Sequence, residues 1–368
     1  MKFIFRTFFT ALVVLLSNLC AYEEAFAQIK EASEEDPLLN LGKSQVVRYR
    51  VGTSLTASRG PVKNVFAMMA VPLDCAEQRV QIAVEDISPE VDAIEYRMLD
   101  GGVRQMLISI PYLPAGKEAH AIVTFDVTTS AIRAPDEELT EQLVVPQKPD
   151  RQLKKYLGRS EFIQTNDSKI RKTLRKIFED NKDLNGETAG EEDVHEDRVS
   201  LDGEADSSVV DIPADNETNP EQQLTPWQRV EKIYDYVQSS IQYVEGDDKS
   251  ALDALNDGYG DCHDISALFV ALCRTEKIPA RMVWVHEHQY PEFCLADAEG
   301  ELHWFPCESA GMRAFGEMPT PRVIMQKGDL FRVPERPRER FHYASEYMTV
   351  DPVPGSGRPK QHFIREQL

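Results

Sequence analysis

The sequence predicts an α+β chain in two parts: an antiparallel β-sandwich, then helices with a second antiparallel sheet. Three observations carry this. Residues 45 to 133 alternate short β-rich runs with turn signals at the spacing of a sandwich. Residues 224 to 310 place helical stripes ahead of strands. The 368 residues are 42% hydrophobic, enough to fill about two cores.

In the first part the strands are Val46–Val51, Val65–Val71, Val80–Val84, Gln105–Ile110 and Ala121–Val127. Arg59-Gly60-Pro61, Asp100-Gly101-Gly102 and Pro114-Ala115-Gly116 punctuate them as turns. This domain spans 45–145 and shows no evident chemistry; Cys75 reads as a small buried or turn thiol. A helical connector follows over 150–178, with Ile170, Leu174, Ile177 and Phe178 on one face.

Net charge is −21, which argues against a phosphate-neutralising nucleic-acid surface. The charge is concentrated: residues 179–223 hold 16 Asp/Glu against 2 Lys/Arg. With few large apolar residues, this segment reads as a disordered acidic insertion. Its start, Asn181-Lys-Asp183-Leu-Asn185-Gly186 with Glu192, has the oxygen spacing of an EF-hand loop. Asn at the first position, Thr188 at the usual apolar one and a polar exit favour a solvated linker instead.

The N-terminus reads as an export signal over 1–27. Lys2 and Arg6 precede an apolar run, and Ala25-Phe26-Ala27 offers a small-x-small cleavage site. The expected location is periplasmic or secreted, with an uncleaved N-terminal anchor as the alternative. The apolar run is short for a membrane span, so the mature chain is expected to have none. Cleavage leaves five cysteines, 75, 262, 273, 294 and 307. No Cys-x-x-Cys pair occurs, which argues against zinc, and no cofactor is indicated. A disulfide between Cys294 and Cys307, on consecutive strands, is left open.

The second part, 224–350, begins at Thr225-Pro226, a capping hydroxyl followed by proline at the first helical position. Val230, Ile233, Tyr234, Val237 and Ile241 form its stripe. Ile278–Val285, His288–Leu295 and Leu302–Phe305 read as strands, and 351–368 as a flexible tail. Cys262 directly precedes the helical pattern of Ile265, Leu268, Phe269 and Leu272. Its sulfur therefore sits at a helix N-terminus, where free N–H groups and the dipole stabilise a thiolate. Gly258 and Gly260 permit a tight approach. Cys273 lies about 16 Å further along the helix and reads as core. A thiolate nucleophile needs a base and an orienting group, and His288 and Glu308 on neighbouring strands satisfy that requirement. His286 and His303 are nearby competitors, and His263 adjoins the cysteine but projects differently.

Taken together, Gly258 to Asp264, Ala271 to Arg274, Ile278 to Arg281, His288 to Glu292 and Trp304 to Glu308 resemble the bacterial transglutaminase-like superfamily. The resemblance covers about residues 225 to 310. It implies a papain-like α+β core in which the helix carrying the cysteine packs on an antiparallel sheet. It also implies a triad of Cys262, His288 and Glu308, with Trp304 and Tyr290 as substrate-binding residues. The family usually has Asp where Glu308 stands, one methylene shorter, and 26 residues separate Cys262 from His288, a short interval. The implied activity is acyl transfer on protein or peptide amides through a Cys262 thioester, ending in hydrolysis or transamidation. The alternative is an inactive domain that uses the fold to bind proteins or the cell envelope.

Overall fold

The computed structural model describes residues 38–179, 224–351 and 353–368. The export signal and the acidic insertion with its EF-hand-like spacing lie outside the described residues, apart from Glu179.

Six strands come first: β1 (Asn40–Thr56), β2 (Val62–Val71), β3 (Gln78–Ile87), β4 (Ala93–Leu99), β5 (Val103–Leu113) and β6 (Glu118–Arg133). Helices α1 (Ser168–Glu179), α2 (Pro226–Ser240), α3 (Ala251–Asp257) and α4 (Cys262–Thr275) follow. The two-residue strands β7 (Gln242–Tyr243) and β8 (Tyr259–Gly260) flank α3 and pair in parallel. Then come β9 (Ala280–Val285), β10 (His288–Ala296), β11 (Leu302–Glu308), β12 (Ala314–Phe315), β13 (Ile324–Lys327), β14 (Tyr347–Asp351) and β15 (Lys360–Gln367).

One sheet runs β15-β1-β6-β3, and β5, β2 and β14 face it. Alternate residues turn inward from both sides: Tyr49 and Val51 from β1, Phe125 and Val127 from β6, Ala67 and Met69 from β2, Met106 and Ile108 from β5. That interdigitation is a β-sandwich core. The second sheet does not stop at β5. Through β13 it continues into β9, β10, β11 and β12, so the strands bearing His288 and Glu308 belong to the sheet that closes the sandwich. α4 lies against β10 and β9, with Leu268, Phe269, Leu272 and Cys273 packed among Ala280, Met282, Phe293 and Leu295.

Residues 360–367, expected as a flexible tail, are strand β15, paired with β1 from Tyr49↔Gln367 to Thr56↔Lys360. The strand is exposed along most of its length, so backbone pairing holds it and no hydropathy pattern announces it. β4 was unforeseen too: it mixes half-buried and exposed positions and buries only Leu99, so no clean alternation marks it.

Two buried ion clusters lock the layers. Arg274, at the end of α4, pairs with Asp329 and donates to the carbonyls of Ala280 and Gly158, both at 2.9 Å. Ser160 donates to the same Asp329 carboxylate at 2.7 Å. On the sheet, Lys327 Nζ lies 2.8 Å from Glu292 and 2.6 Å from Glu77, while Arg281 Nε reaches Glu292 at 2.7 Å. Both Arg274 and Asp329 are wholly buried, so removing one partner strands a charge. Asp329→Ala is expected to lower the urea unfolding free energy by about 3–5 kcal/mol.

Candidate active site

The site starts from the turn before α4. Gly258, at φ +74, closes α3 in the left-handed conformation. Gly260 is needed for contact: a Cβ there would come 2.6 Å from the Asp264 Cβ. Asp261 caps the helix and forms a reciprocal box with Asp264, the two backbone-to-carboxylate bonds being 3.1 and 3.3 Å. Asp264 also accepts from Lys249 N at 2.6 Å, fixing the preceding loop to the helix start. Cys262 is therefore the first residue of a rigidly capped helix.

His288 opens β10 and Glu308 closes β11. His288 Nε2 is hydrogen-bonded by both Glu308 oxygens, at 3.1 and 3.0 Å. That leaves Nδ1 as the ring nitrogen free for the thiol. Glu308 is itself held: its Oε1 accepts from Ala310 N at 3.3 Å, and its carbonyl accepts from Tyr234 Oη at 2.7 Å and Gln238 Nε2 at 3.2 Å. Burial pulls the His288 pKa down, but its hydrogen bonds with Cys262 and Glu308 outweigh it and raise the value to about 9. A third contact was not foreseen: the Cys262 thiol donates to Gln289 Oε1 at 2.9 Å.

Beside His288 and Gln289 opens a cleft of about 350 Å³, walled by Trp284, Tyr49, His342, Tyr343 and Arg365. Tyr49 comes from the sandwich, where its hydroxyl meets His286 Nδ1 at 3.1 Å, and Arg365 from β15. No local pattern could have found them, since tertiary pairing brings them in from the two ends of the chain. The remaining predicted residues lie elsewhere. Tyr290 is 2% exposed in an apolar cluster with Leu73, Val283 and Met318. Trp304 packs edge-on to Tyr156, with the Arg281 guanidinium 3.8 Å from its ring centre. Neither is on the walls of that cleft. His303 pairs with Asp297 at 2.8 Å.

The other four thiols are free as well. Burial pushes up Cys75, Cys273, Cys307 and Cys294, the last to about 12. Cys294 and Cys307 form no disulfide: one faces Leu153 and Tyr156, the other the α4 core.

His263, next to Cys262 in the sequence, is buried in a chain of hydrogen bonds. Its Nδ1 meets Asp264 Oδ1 at 3.0 Å, and its Nε2 meets His342 Nε2 at 2.7 Å. A carboxylate only accepts, so Nδ1 carries the proton in the neutral ring, Nε2 accepts, and His342 Nε2 donates. His342 Nδ1 is then a bare, buried acceptor, and it has no partner among the described residues. Asp248, Asp261 and His263 place possible ligand atoms within 4.8 Å of one another. Both ring nitrogens of His263 are already engaged, so this group does not fit a metal.

Residues 214–314, which include Cys262, His288 and Glu308, match the sequence profile of the transglutaminase-like superfamily. None of the curated proteins compared matches the chain. Among solved structures the chain is similar to a candidate cysteine protease from Cytophaga hutchinsonii, at 16% identity and a TM-score of 0.49, over 89% of this chain and 92% of that one. It is also similar to a candidate protease from Parabacteroides distasonis, at 11% identity and a TM-score of 0.24, over 69% of this chain and 42% of that one. No helix among the described residues is long and apolar enough to cross a membrane.

Two titrations follow. The His288 pKa is raised from 6.5 to about 9, so the stability it confers is complete below pH 6.5 and lost as pH rises through about 9. In NMR titrations Glu308→Gln is expected to move the His288 midpoint down from about 9, since it removes a charge that favours the imidazolium. His342 behaves oppositely. Burial, then the neighbouring His263, lowers it from 6.5 to about 4, so the stability it confers is present above pH 6.5 and lost as pH falls through about 4. His342→Asn is expected to flatten the acid limb of a thermal-melt series across that window.

Proposed function

Given that residues 214–314 are a transglutaminase-like segment, we propose that this chain is an exported cysteine enzyme acting on protein or peptide amides. The supporting observation is the hydrogen-bonded alignment of Glu308 with His288, whose raised pKa reflects the adjacent Cys262 thiol. Export rests on the cleavable leader read at residues 1–27.

In the first half-reaction the Cys262 sulfur, its proton passed to His288, attacks the carbonyl carbon and forms an S–C bond. The negative charge collects on the carbonyl oxygen, within reach of the Cys262 N–H at the positive end of α4. The C–N bond then breaks as the His288 imidazolium gives its proton to the leaving amine, leaving a thioester. In the second half-reaction His288 takes a proton from water or an incoming amine, the nucleophile adds, and the thiolate departs. Glu308 holds the ring orientation and balances the imidazolium. Once the thiol has lost its proton, Gln289 has nothing to accept, and rotating its amide turns Nε2–H donors towards the sulfur or the oxyanion.

The Cys262–Gln289 bond favours one alternative, a domain in which the thiol rests unused and the fold serves to bind proteins or the envelope. Iodoacetamide separates the two readings. A working Cys262 is expected to alkylate faster than Cys273 by about tenfold or more, and His288→Ala should slow it. Equally slow labelling of every thiol would overturn the enzyme reading. A glutamine-containing peptide library, with and without a primary amine, then distinguishes hydrolysis from transamidation.

A further inference from the structure

A second cavity of about 440 Å³ shares no lining residue with the His288 cleft. Four cations converge on it: Arg151 and Lys155, from the turns ahead of α1, and Arg332 and Arg340, from the loop after β13. Asp100 is the one acid that the described residues place on its wall, and its backbone carbonyl accepts from Lys155 Nζ at 3.1 Å. The guanidinium groups of Arg151, Arg332 and Arg340 make no hydrogen bond or ion pair to any described residue.

This is unexpected in a chain of net charge −21. The loop that carries Arg332 and Arg340 also carries three glutamates, and all are committed elsewhere, Glu346 to Arg365 at 3.3 Å. Glu335 forms a two-bond fork with Arg97, each bond 2.7 Å, and Glu339 pairs with Arg336. The acids nearest in sequence are thus held away, while like charges are gathered around a concavity. Three unpaired guanidinium groups on the wall of one cavity repel one another, and an external anion relieves that repulsion.

We propose that this cavity binds a phosphate-bearing ligand. One carboxylate satisfies one guanidinium edge, whereas a phosphate presents oxygens on several sides and carries up to two charges, matching cations that approach from two segments. The volume exceeds what a single phosphate fills, and Leu330 offers an apolar wall to whatever carries the group. The site is independent of the chemistry at Cys262.

The test is calorimetric titration of the full-length protein with inorganic pyrophosphate, on the wild type and on the Arg332→Gln/Arg340→Gln double variant. The expected result is saturable one-to-one binding that weakens by roughly tenfold or more in the double variant, and less in Arg332→Lys/Arg340→Lys, which keeps the charge but loses the fork. A second arm locates the source of the phosphate. Competition by glycerol 3-phosphate points to a soluble ester, and cosedimentation with phosphatidylglycerol vesicles, lost in the double variant, points to a lipid headgroup. The proposal is overturned if the wild type shows no saturable binding in either arm, or if a correctly folded double variant binds as tightly as wild type. Because the readout is binding, it gives the same answer whether or not Cys262 is catalytic.

Discussion

The ammonium of Lys327 is the point on which the two parts of the molecule meet. It sits between Glu77, at the lip of the sandwich, and Glu292, on the strand that begins with His288. Arg281 completes the set from β9, so two cations and two carboxylates neutralise one another within the joined sheet. The Coulomb attraction of such a group is large only because water is excluded, and the same exclusion makes each partner costly to lose. β10 is thereby fixed in position and register relative to the sandwich. His288 inherits its place from that register, and a cleft with Tyr49 on one wall is possible only because of it.

Around this frame the site divides its labour between local and distant constraints. The helix start is local: Gly260 admits Asp264, Asp264 closes the box with Asp261, and Cys262 follows. The imidazole is set by strand pairing, and Glu308 by bonds from α2 to its own carbonyl. The extra methylene of Glu308 does not prevent contact with Nε2; the carboxylate engages the ring with both oxygens.

What could be read in the sequence follows from the same division. The Cys262 turn was legible because glycine freedom, capping and apolar periodicity all act within a few residues. The strands of the sandwich were legible where one face is buried and the other wet, as in β1 and β6. Trp304 and Tyr290 show the limit of a strand pattern, which gives alternation but not which face meets the His288 cleft; both lie away from it. Gln289 carries no signal, being one more polar residue at a strand start. Arg365 was invisible because β15 is solvent-exposed along most of its length, and only its pairing with β1 brings it to the cleft.

That last pairing has a consequence for how the molecule is made. Arg50 and Glu366 face each other across 316 residues of sequence, so β1 emerges from the ribosome long before its edge partner exists. Until then its outer row of amide and carbonyl groups is open, an invitation to pairing with other chains. Closing that edge also delivers Arg365, and the neighbouring Tyr343 that it contacts, to the mouth of the cleft. Pairing of β15 therefore completes the sheet and the cleft together, and a nascent chain stalled just short of it would hold His288 beside an unfinished cleft.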